Sequence, residues 1–276
     1  MKSQGQVLLI TLLVLTVATT IALSLIGRAT IDLSMSNQLE ESTRAFNAAE
    51  AGIEEALKTG TGTSQAVTLS SGVTYDVSVD DIGGAAGVYQ VGHKTPESTT
   101  ETLWLAEHSS DGTSIIETPY YTQSTIELCW SQETPPDPSA AVEVSVLYKE
   151  STDESYQITR FATDPDAATR NNNFDSTGIT TNGCGLGYYG KTIDFATLGI
   201  NPVLDVLLAL RIKPHYADAT IAVDPGVSSL PKQGNLIQSI GSTGTGVSRK
   251  VVVYQQYRAP LSVFDSVIYS ESAFGH

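Results

Sequence analysis

Val7–Ile26 has the sequence VLLITLLVLTVATTIALSLI, and this uncharged run decides the architecture of the chain. No charged residue lies between Lys2 and Arg28. At about 1.5 Å per residue, such a run forms a helix of about 30 Å, which matches the hydrocarbon core of a bilayer. Three interpretations of this run are open: a cleaved secretory signal, a simple membrane anchor, and an anchor whose processing site precedes the apolar run.

The residues after the apolar run continue the helix. Steps of four and seven place one apolar stripe on a helix face, with Ala49 on or near it: Ile31, Met35, Leu39, Phe46, Ile53 and Leu57. No proline precedes Pro96, and Gly60 and Gly62 end the pattern. We predict one helix over residues 6–58, about 80 Å long, broken at most softly near Gly27.

The two parts of this helix have different surfaces. Residues 6–27 are apolar on all sides and suit a membrane or a filament core, whereas residues 28–58 are amphipathic. The stripe residues predicted to pack on a head are Leu39, Phe46, Ala49, Ile53 and Leu57. A lone anchor has no need of the amphipathic part. A cleaved signal has an apolar stretch of only about 7–15 residues and a small-residue cleavage site, which this segment lacks.

The beginning of the chain resembles a type IV prepilin. A short polar leader, residues 1–5, ends in Gly5, and the segment RAFNAAEA at 44–51 resembles one that follows the apolar helix in minor pilins. The long tip pseudopilin of type II secretion starts similarly. The resemblance covers residues 1–58 and implies cleavage by a prepilin peptidase between Gly5 and Gln6. The helix positions it implies for the membrane and the filament are Val7, Leu8, Leu9, Ile10, Leu12, Leu13 and Leu15.

Two positions depart from the pattern of major pilins. That pattern has Phe as the first mature residue and Glu as the fifth, whereas this chain has Gln6 and Ile10. The resemblance implies that this glutamate pairs with the terminal amine of a neighbouring subunit inside an apolar core, where an unpaired charge is costly. The resemblance therefore implies a minor subunit, at the tip or in initiation. A looser branch of the family is the alternative.

The remainder of the chain is acidic and rich in Thr, Ser, Tyr and Val. The formal net charge is −15, and residues 1–58 hold four basic and six acidic residues, which leaves 11 basic and 24 acidic. Such a surface repels phosphate backbones and argues against direct nucleic-acid binding. The composition is typical of a secreted β-rich protein.

Alternating segments predict an antiparallel sheet that packs on the amphipathic half of the helix. Its four strands are predicted at Val73–Val79, Val88–Val91, Leu236–Ile240 and Arg249–Tyr254. Gly241–Gly246 joins the last two as a hairpin loop, because it opens no helix that could bind phosphate. The fold class is therefore α+β, with this head formed by residues 59–99 and 229–276.

A second set of strands lies between the two parts of the head. The segments are Ser124–Trp130, Val142–Tyr148, Tyr156–Phe161, Leu204–Ile212 and Ala219–Val223. Their spacing and proline-rich links predict a β-sandwich inserted at residues 100–228. One elaborated head sheet is the alternative. Cys129 and Cys184 both fall in this insertion, where they form either one disulfide or two unrelated buried thiols.

No constellation for catalysis is recognisable. His93, His108, His215 and His276 are isolated, and no nucleophile–base pair or phosphate-binding loop occurs, so we expect neither an enzyme nor a cofactor. The best candidate calcium ligands are Asp164, Asp166 and Asp175, with the three residues 171–173 between them. Their spacing does not match an EF-hand loop.

The sequence favours a pilin-like structural subunit. The resemblance implies a precursor in the inner (cytoplasmic) membrane and then a surface filament, with other pilin subunits, the peptidase and the assembly machinery as partners, and a head available for adhesion. The alternative is a single-pass, membrane-anchored extracellular binding protein that does not polymerise. The two differ in whether Met1–Gly5 is removed.

Overall fold

A computed structural model describes residues 4–70, 72–109, 112–133 and 138–262. The chain forms two compact units. We call the residues up to Asp80 together with Leu236–Tyr254 the helix unit, and Asp81–Asn235 together with the residues from Gln255 the insert unit.

The N-terminal helix α1 runs from Gln4 to Thr59 without a break. This confirms the single long helix that the sequence predicts, with no interruption at Gly27. Gly60 ends the helix with φ of +72°, a left-handed conformation that glycine adopts readily, and its N–H donates to the Ala56 carbonyl at 2.8 Å. At 1.5 Å per residue the helix is about 80 Å long.

Strands and two short helical segments make up the rest of the described chain. In chain order the strands are β1 (Val67–Ser70), β2 (Val73–Gly83), β3 (Tyr89–Thr95), β4 (Glu101–Trp104), β5 (Ala106–His108), β6 (Ile115–Tyr120), β7 (Thr125–Trp130), β8 (Ala141–Lys149), β9 (Tyr156–Thr163), β10 (Ile179–Gly183), β11 (Tyr188–Asp194), β12 (Val206–His215), β13 (Ala219–Asp224), β14 (Lys232–Thr243) and β15 (Ser248–Gln256). A helical turn, α2, spans Ala167–Arg170, and a 3₁₀ turn spans Phe195–Leu198.

The helix unit joins α1 to a sheet of order β1-β2-β14-β15. Alternate residues of β2 are buried, as expected for a sheet with one covered face. The small core of this unit packs helix side chains against strand side chains: Ala48, Ile53 and Ala56 from α1, Val73, Tyr75 and Val77 from β2, and Ile237 from β14. The α+β fold class predicted from the sequence is therefore confirmed.

The insert unit contains two larger antiparallel sheets and one small one. The five-stranded sheet has the order β10-β11-β7-β13-β3, the four-stranded sheet β4-β12-β8-β9, and the small sheet pairs β5 with β6. One buried cluster includes Leu128 and Ile221 from the first sheet and Val144 and Leu210 from the second. Two sheets that share a core in this way form a sandwich.

The structure corrects the predicted placement of Val88–Val91. These residues were expected in the head sheet, but Tyr89–Thr95 forms β3 and pairs with β13 in the insert unit. The chain does not reverse after Gly83 to pair with β2, because β1 and β14 already flank β2. The chain passes between the two units near residues 80, 236 and 255, whereas the sequence placed the boundaries near 100 and 228.

Candidate functional site

The apolar half of α1 is the most exposed apolar surface of the described chain. The predicted positions Val7, Leu8, Leu9, Ile10, Leu12, Leu13 and Leu15 are all between 53% and 69% exposed. By length and composition, α1 is the one helix of the described residues that could cross a membrane. An apolar surface of this size requires lipid or another protein as its neighbour.

The predicted processing site lies in the first turn of α1. The helix begins at Gln4, so the Gly5–Gln6 bond has helical backbone on both sides. Glycine is about 1 kcal/mol less favourable than alanine inside a helix, which eases local unwinding at this point.

Threonine hydroxyls in the apolar half bond to their own helix. Thr11 donates to the Leu8 carbonyl at 3.0 Å, Thr16 to the Leu13 carbonyl at 2.9 Å, and Thr20 to the Val17 carbonyl at 2.8 Å. Thr19 in this half and Thr30 just after it make the same kind of bond to carbonyls three and four residues back. These hydroxyls therefore need no partner outside the helix.

Small residues bring the second half of α1 unusually close to the sheet. Ala45, Ala48 and Ala49 are at most 1% exposed. A β-carbon on Gly241 of β14 would overlap the Ala45 carbonyl oxygen and lie 2.6 Å from the Ala49 nitrogen. Gly52 is equally confined, since a β-carbon there would lie 2.8 Å from the side chains of both Tyr75 and Val77.

The structure corrects three of the five predicted head-packing residues. Ala49 and Ile53 are buried, but Leu39, Phe46 and Leu57 are 69%, 43% and 46% exposed. The buried face runs through residues 45, 48, 49, 52, 53 and 56, so Phe46 and Leu57 lie at its border and Leu39 precedes it. The prediction followed mainly large apolar residues and did not include Ala45, Ala48 or Gly52, although their helical spacing was the available signal.

The tip of the β14–β15 hairpin is fastened to α1 within the helix unit. Thr245 donates to the Glu41 carboxylate at 2.7 Å, and Arg249 donates to the Ser42 hydroxyl at 2.8 Å. Hydrogen bonds from Thr245 and Thr243, with the nearby Arg44, lower the pKa of Glu41. The Gly241–Gly246 segment thus forms a hairpin connection, as predicted from the sequence.

The candidate calcium ligands are divided between two protein cations. The buried Asp164 carboxylate accepts from Arg170 at 2.7 Å and from the Asn172 amide at 2.6 Å, while Asp166 lies 3.6 Å from the same guanidinium. Asp175 pairs instead with Lys191 at 2.8 Å. The three carboxylates therefore do not form one oxygen cage of the kind that calcium requires.

The pair between Asp175 and Lys191 predicts a measurable pH dependence. The Lys191 ammonium, helped by the Thr177 hydroxyl and N–H, lowers the pKa of Asp175 to about 2. The folded protein therefore gains stability above the unfolded pKa near 4, and this gain is lost as the pH falls from about 4 to about 2. Lys191→Met is expected to raise the Asp175 pKa towards its usual value, measured by NMR titration of the carboxyl carbon. Lys213→Met should leave it unchanged, and an Asp175 pKa near 4 in the unaltered protein would contradict the pairing.

The two cysteines form a disulfide, which confirms one of the two alternatives left by the sequence. It links Cys129 of β7 to Cys184 beside the β10–β11 hairpin, across a separation of 55 residues. Among the described residues, Glu127 is the third potential metal ligand near these sulfurs. Because both sulfurs are bonded to each other, neither is the thiolate that a metal would bind.

A comparison with known protein families gives a match in the N-terminal helix. A family model described as PilX N-terminal, the N-terminal segment of type IV pilus minor pilins, matches residues 4–54. This match covers nearly all of α1 and confirms the resemblance drawn from the leader, the apolar run and the segment at 44–51. No curated protein and no solved structure matches the chain.

Similarity to type IV pilus minor pilins is therefore shown for residues 4–54 of the chain. Such a segment implies interaction with other components of a pilus in general. The match ends at residue 54 and includes neither the sheet nor the insert unit.

Proposed function

We propose that this protein is a minor subunit of a type IV pilus-like filament. It is inserted in the cytoplasmic membrane by α1, cut after Gly5 by a prepilin peptidase, and polymerised through helix packing. One observation carries the proposal: a single uninterrupted helix combines an uncovered apolar half with a half that is anchored on a sheet. A membrane anchor alone needs only the first half.

The apolar half suits two successive surroundings. In a membrane its neighbours are lipid chains, and in a filament they are other apolar helices. Transfer from one to the other exposes no apolar surface to water, and helix association in such media rests on packing and interhelical hydrogen bonds. The energy for extraction comes from an assembly motor, which is a separate partner.

The replacement of the family's glutamate by Ile10 supports a minor role. A carboxylate at that position would neutralise the terminal amine of an adjacent subunit in the apolar core. Ile10 offers no charge, so this subunit leaves such an amine without that partner. A position at the tip or in initiation, where one neighbour is missing, avoids the cost.

The proposed role of the remaining chain is contact outside the membrane. The insert unit offers a disulfide-linked sandwich for a surface or partner subunit, and its acidic character disfavours direct contact with nucleic acid. We propose no catalytic activity, because the sequence offers no nucleophile–base pair. We propose adhesion or contact with a partner subunit as the role of this unit.

Processing provides the decisive test. In membrane or filament fractions of the native cells, mass spectrometry should find a mature peptide that begins at Gln6, and this peptide should disappear in cells without the prepilin peptidase. Gly5→Val is expected to block processing, since the site loses its small residue. Gly27→Val serves as the matched control, because Gly27 has open space around it.

Two other results would support the rival function. A chain that retains Met1 would indicate a membrane-anchored extracellular protein that does not polymerise. A chain that begins after Ile26 would indicate a secreted protein released from a signal segment. Either result would remove the pilus subunit proposal.

A further inference from the structure

A small pocket lies on one side of the sandwich in the insert unit. Its walls come from the edge strands β3 and β4 of the two large sheets, from the start of β14, and from the end of β15 with the residues that follow it. We call it the Glu101 pocket. The lining residues used below are Tyr89, Glu101, Trp104, Gln233, Gln256 and Tyr257, and all of them belong to the insert unit.

Glu101 brings a buried carboxylate to this pocket. Its side chain is only 10% exposed. In the described part of the chain its ionic partner is His93, whose Nε2 lies 3.4 Å from Oε2, and the Gln256 amide donates to Oε1 at 3.5 Å. Both distances are longer than the 2.7–2.9 Å of a good charge-assisted hydrogen bond. His93 carries charge only when it is protonated, so it compensates the carboxylate incompletely.

Burial is the largest influence on this carboxyl group. It raises the pKa of Glu101, and the nearby His93 and the hydrogen bond from Gln256 offset the effect only in part. Burial, together with the Glu101 charge, also raises the pKa of Tyr89 to about 12, so this phenol is neutral at physiological pH. A carboxylate withdrawn from water in this way is stabilised by a cation that binds beside it.

Aromatic rings form other parts of the wall, and their positions are fixed. Tyr89 begins β3, Trp104 ends β4, and Tyr257 follows β15. The His108 ring stacks on Tyr257 at 4.0 Å between centroids and meets Trp104 edge-on at 4.5 Å. The Gln233 amide accepts from the Trp104 N–H at 2.7 Å and donates to the Trp104 carbonyl at 2.8 Å. The pocket is therefore formed before a ligand arrives, which lowers the entropic cost of binding.

The composition and size of the pocket select a small organic cation. A carboxylate among aromatic rings suits an alkylammonium group, which gains an ion pair and contacts with the rings. Calcium instead takes about six to eight oxygen ligands around one point, which a single carboxylate and three rings do not supply. The cavity volume is about 100 Å³. Since a cavity of about 150 Å³ holds benzene, this one has space for about four heavy atoms, such as the end of a lysine side chain.

We infer that the Glu101 pocket binds a primary alkylammonium group, with the charge on the Glu101 carboxylate and the carbon chain against the rings of Trp104 and Tyr257. The inference goes beyond the proposed filament role and does not depend on it, because the site lies within the insert unit. A lysine of a partner protein and a free amine both carry this group. The net charge of −15 attracts either of them to the chain.

Titration with n-propylammonium tests the assignment on the full-length chain in detergent. Propan-1-ol is the control ligand, because it has the same number of heavy atoms and no charge. At constant pH and ionic strength, the NMR signal of the Trp104 indole should shift with a dissociation constant on the order of millimolar, as expected for so small a ligand. Trp130, whose indole donates to the Ala140 carbonyl in the core, is the internal reference. No shift with the amine, or an equal shift with the alcohol, would overturn the inference.

Two substitutions examine the contributions of charge and ring separately. Glu101→Gln keeps the shape of the side chain and removes its charge, and we expect at least a tenfold loss of affinity for n-propylammonium. Glu143→Gln is the matched control, since Glu143 also lies in the four-stranded sheet beside a histidine, at 3.2 Å from His215, but outside the pocket. Tyr257→Leu should weaken binding several-fold through loss of one ring. Unchanged affinity in Glu101→Gln, or in Tyr257→Leu if the first variant does not fold, contradicts the assignment.

Carbodiimide cross-linking distinguishes the two sources of the ammonium group. In native membrane or filament fractions this reagent condenses a carboxylate with an amine that touches it. A peptide that joins Glu101 to a lysine of another chain would identify a partner protein as the ligand. Binding of n-propylammonium without such a cross-link would identify a free amine. Failure of both measurements would leave the pocket without the proposed ligand and the inference would be wrong.

Discussion

Gly241→Ala is expected to detach the second half of α1 from its sheet. The added β-carbon would overlap the Ala45 carbonyl oxygen and approach the Ala49 nitrogen, and both atoms belong to helix backbone. A side chain could rotate away, but backbone must move as a whole. Overpacking of a core costs about 1–3 kcal/mol, and we expect this substitution to reach or exceed the upper end of that range.

The measurement is hydrogen exchange of the full-length protein in detergent, with denaturant unfolding beside it. Amides of residues 45–57 and of β14 should lose protection. The buried cluster of the insert unit contains no residue of 236–254, so its protection should persist. Gly244→Ala is the matched control in the same hairpin, because its nearest atoms lie at an ordinary 3.4 Å. If both variants kept full protection over residues 45–57, the close approach of helix and strand would be wrong.

Removal of the disulfide should produce the second large effect. The disulfide joins two residues that are 55 positions apart in the sequence. Replacing Cys129 and Cys184 together by alanine opens this loop and gives the unfolded chain more conformational freedom. The chain-entropy relation gives about 4 kcal/mol of lost stability for a loop of this size. Alanine is preferred to serine, since Cys129 is fully buried and a hydroxyl there would lack a partner.

Chemical denaturation of the oxidised protein and of the double variant measures this loss. A reductant should bring the unaltered protein close to the double variant and should leave the double variant itself unchanged. A double variant as stable as the oxidised protein would show that the loop is already restricted in the unfolded state.

Local patterns in the sequence were sufficient for several elements. The uncharged run, the absence of proline and Gly60 predicted α1 almost to its ends. The glycine-rich segment between two alternating stretches predicted the β14–β15 hairpin. These elements depend on residues that are close together in the chain, so the sequence alone is sufficient to predict them.

Contacts between distant segments could not be predicted in the same way. β2 pairs with β14, and β3 pairs with β13, because of long-range packing that alternation alone does not specify. The helix face was misjudged for a related reason. Close approach to Gly241 requires alanine and glycine, whereas a search for large apolar residues pointed to Leu39 and Leu57.

The candidate calcium ligands show that acidic composition alone does not predict a metal site. Asp164, Asp166 and Asp175 have the composition of a cation site, yet Arg170 and Lys191 supply the positive charge. The sequence does not indicate either pairing, because Arg170 lies in the short helical turn α2 and Lys191 lies in β11. Only the folded arrangement shows that these carboxylates are already paired.

The threonines of the apolar half have a consequence for how the helix changes its environment. Each hydroxyl of Thr11, Thr16 and Thr20 donates to a carbonyl of its own helix, which leaves the methyl group as the apolar part of the side chain. To a neighbour, these side chains therefore resemble valine. When the helix exchanges one apolar medium for another, these threonine hydrogen bonds do not have to be broken, so the three hydroxyls add little to the cost of the exchange.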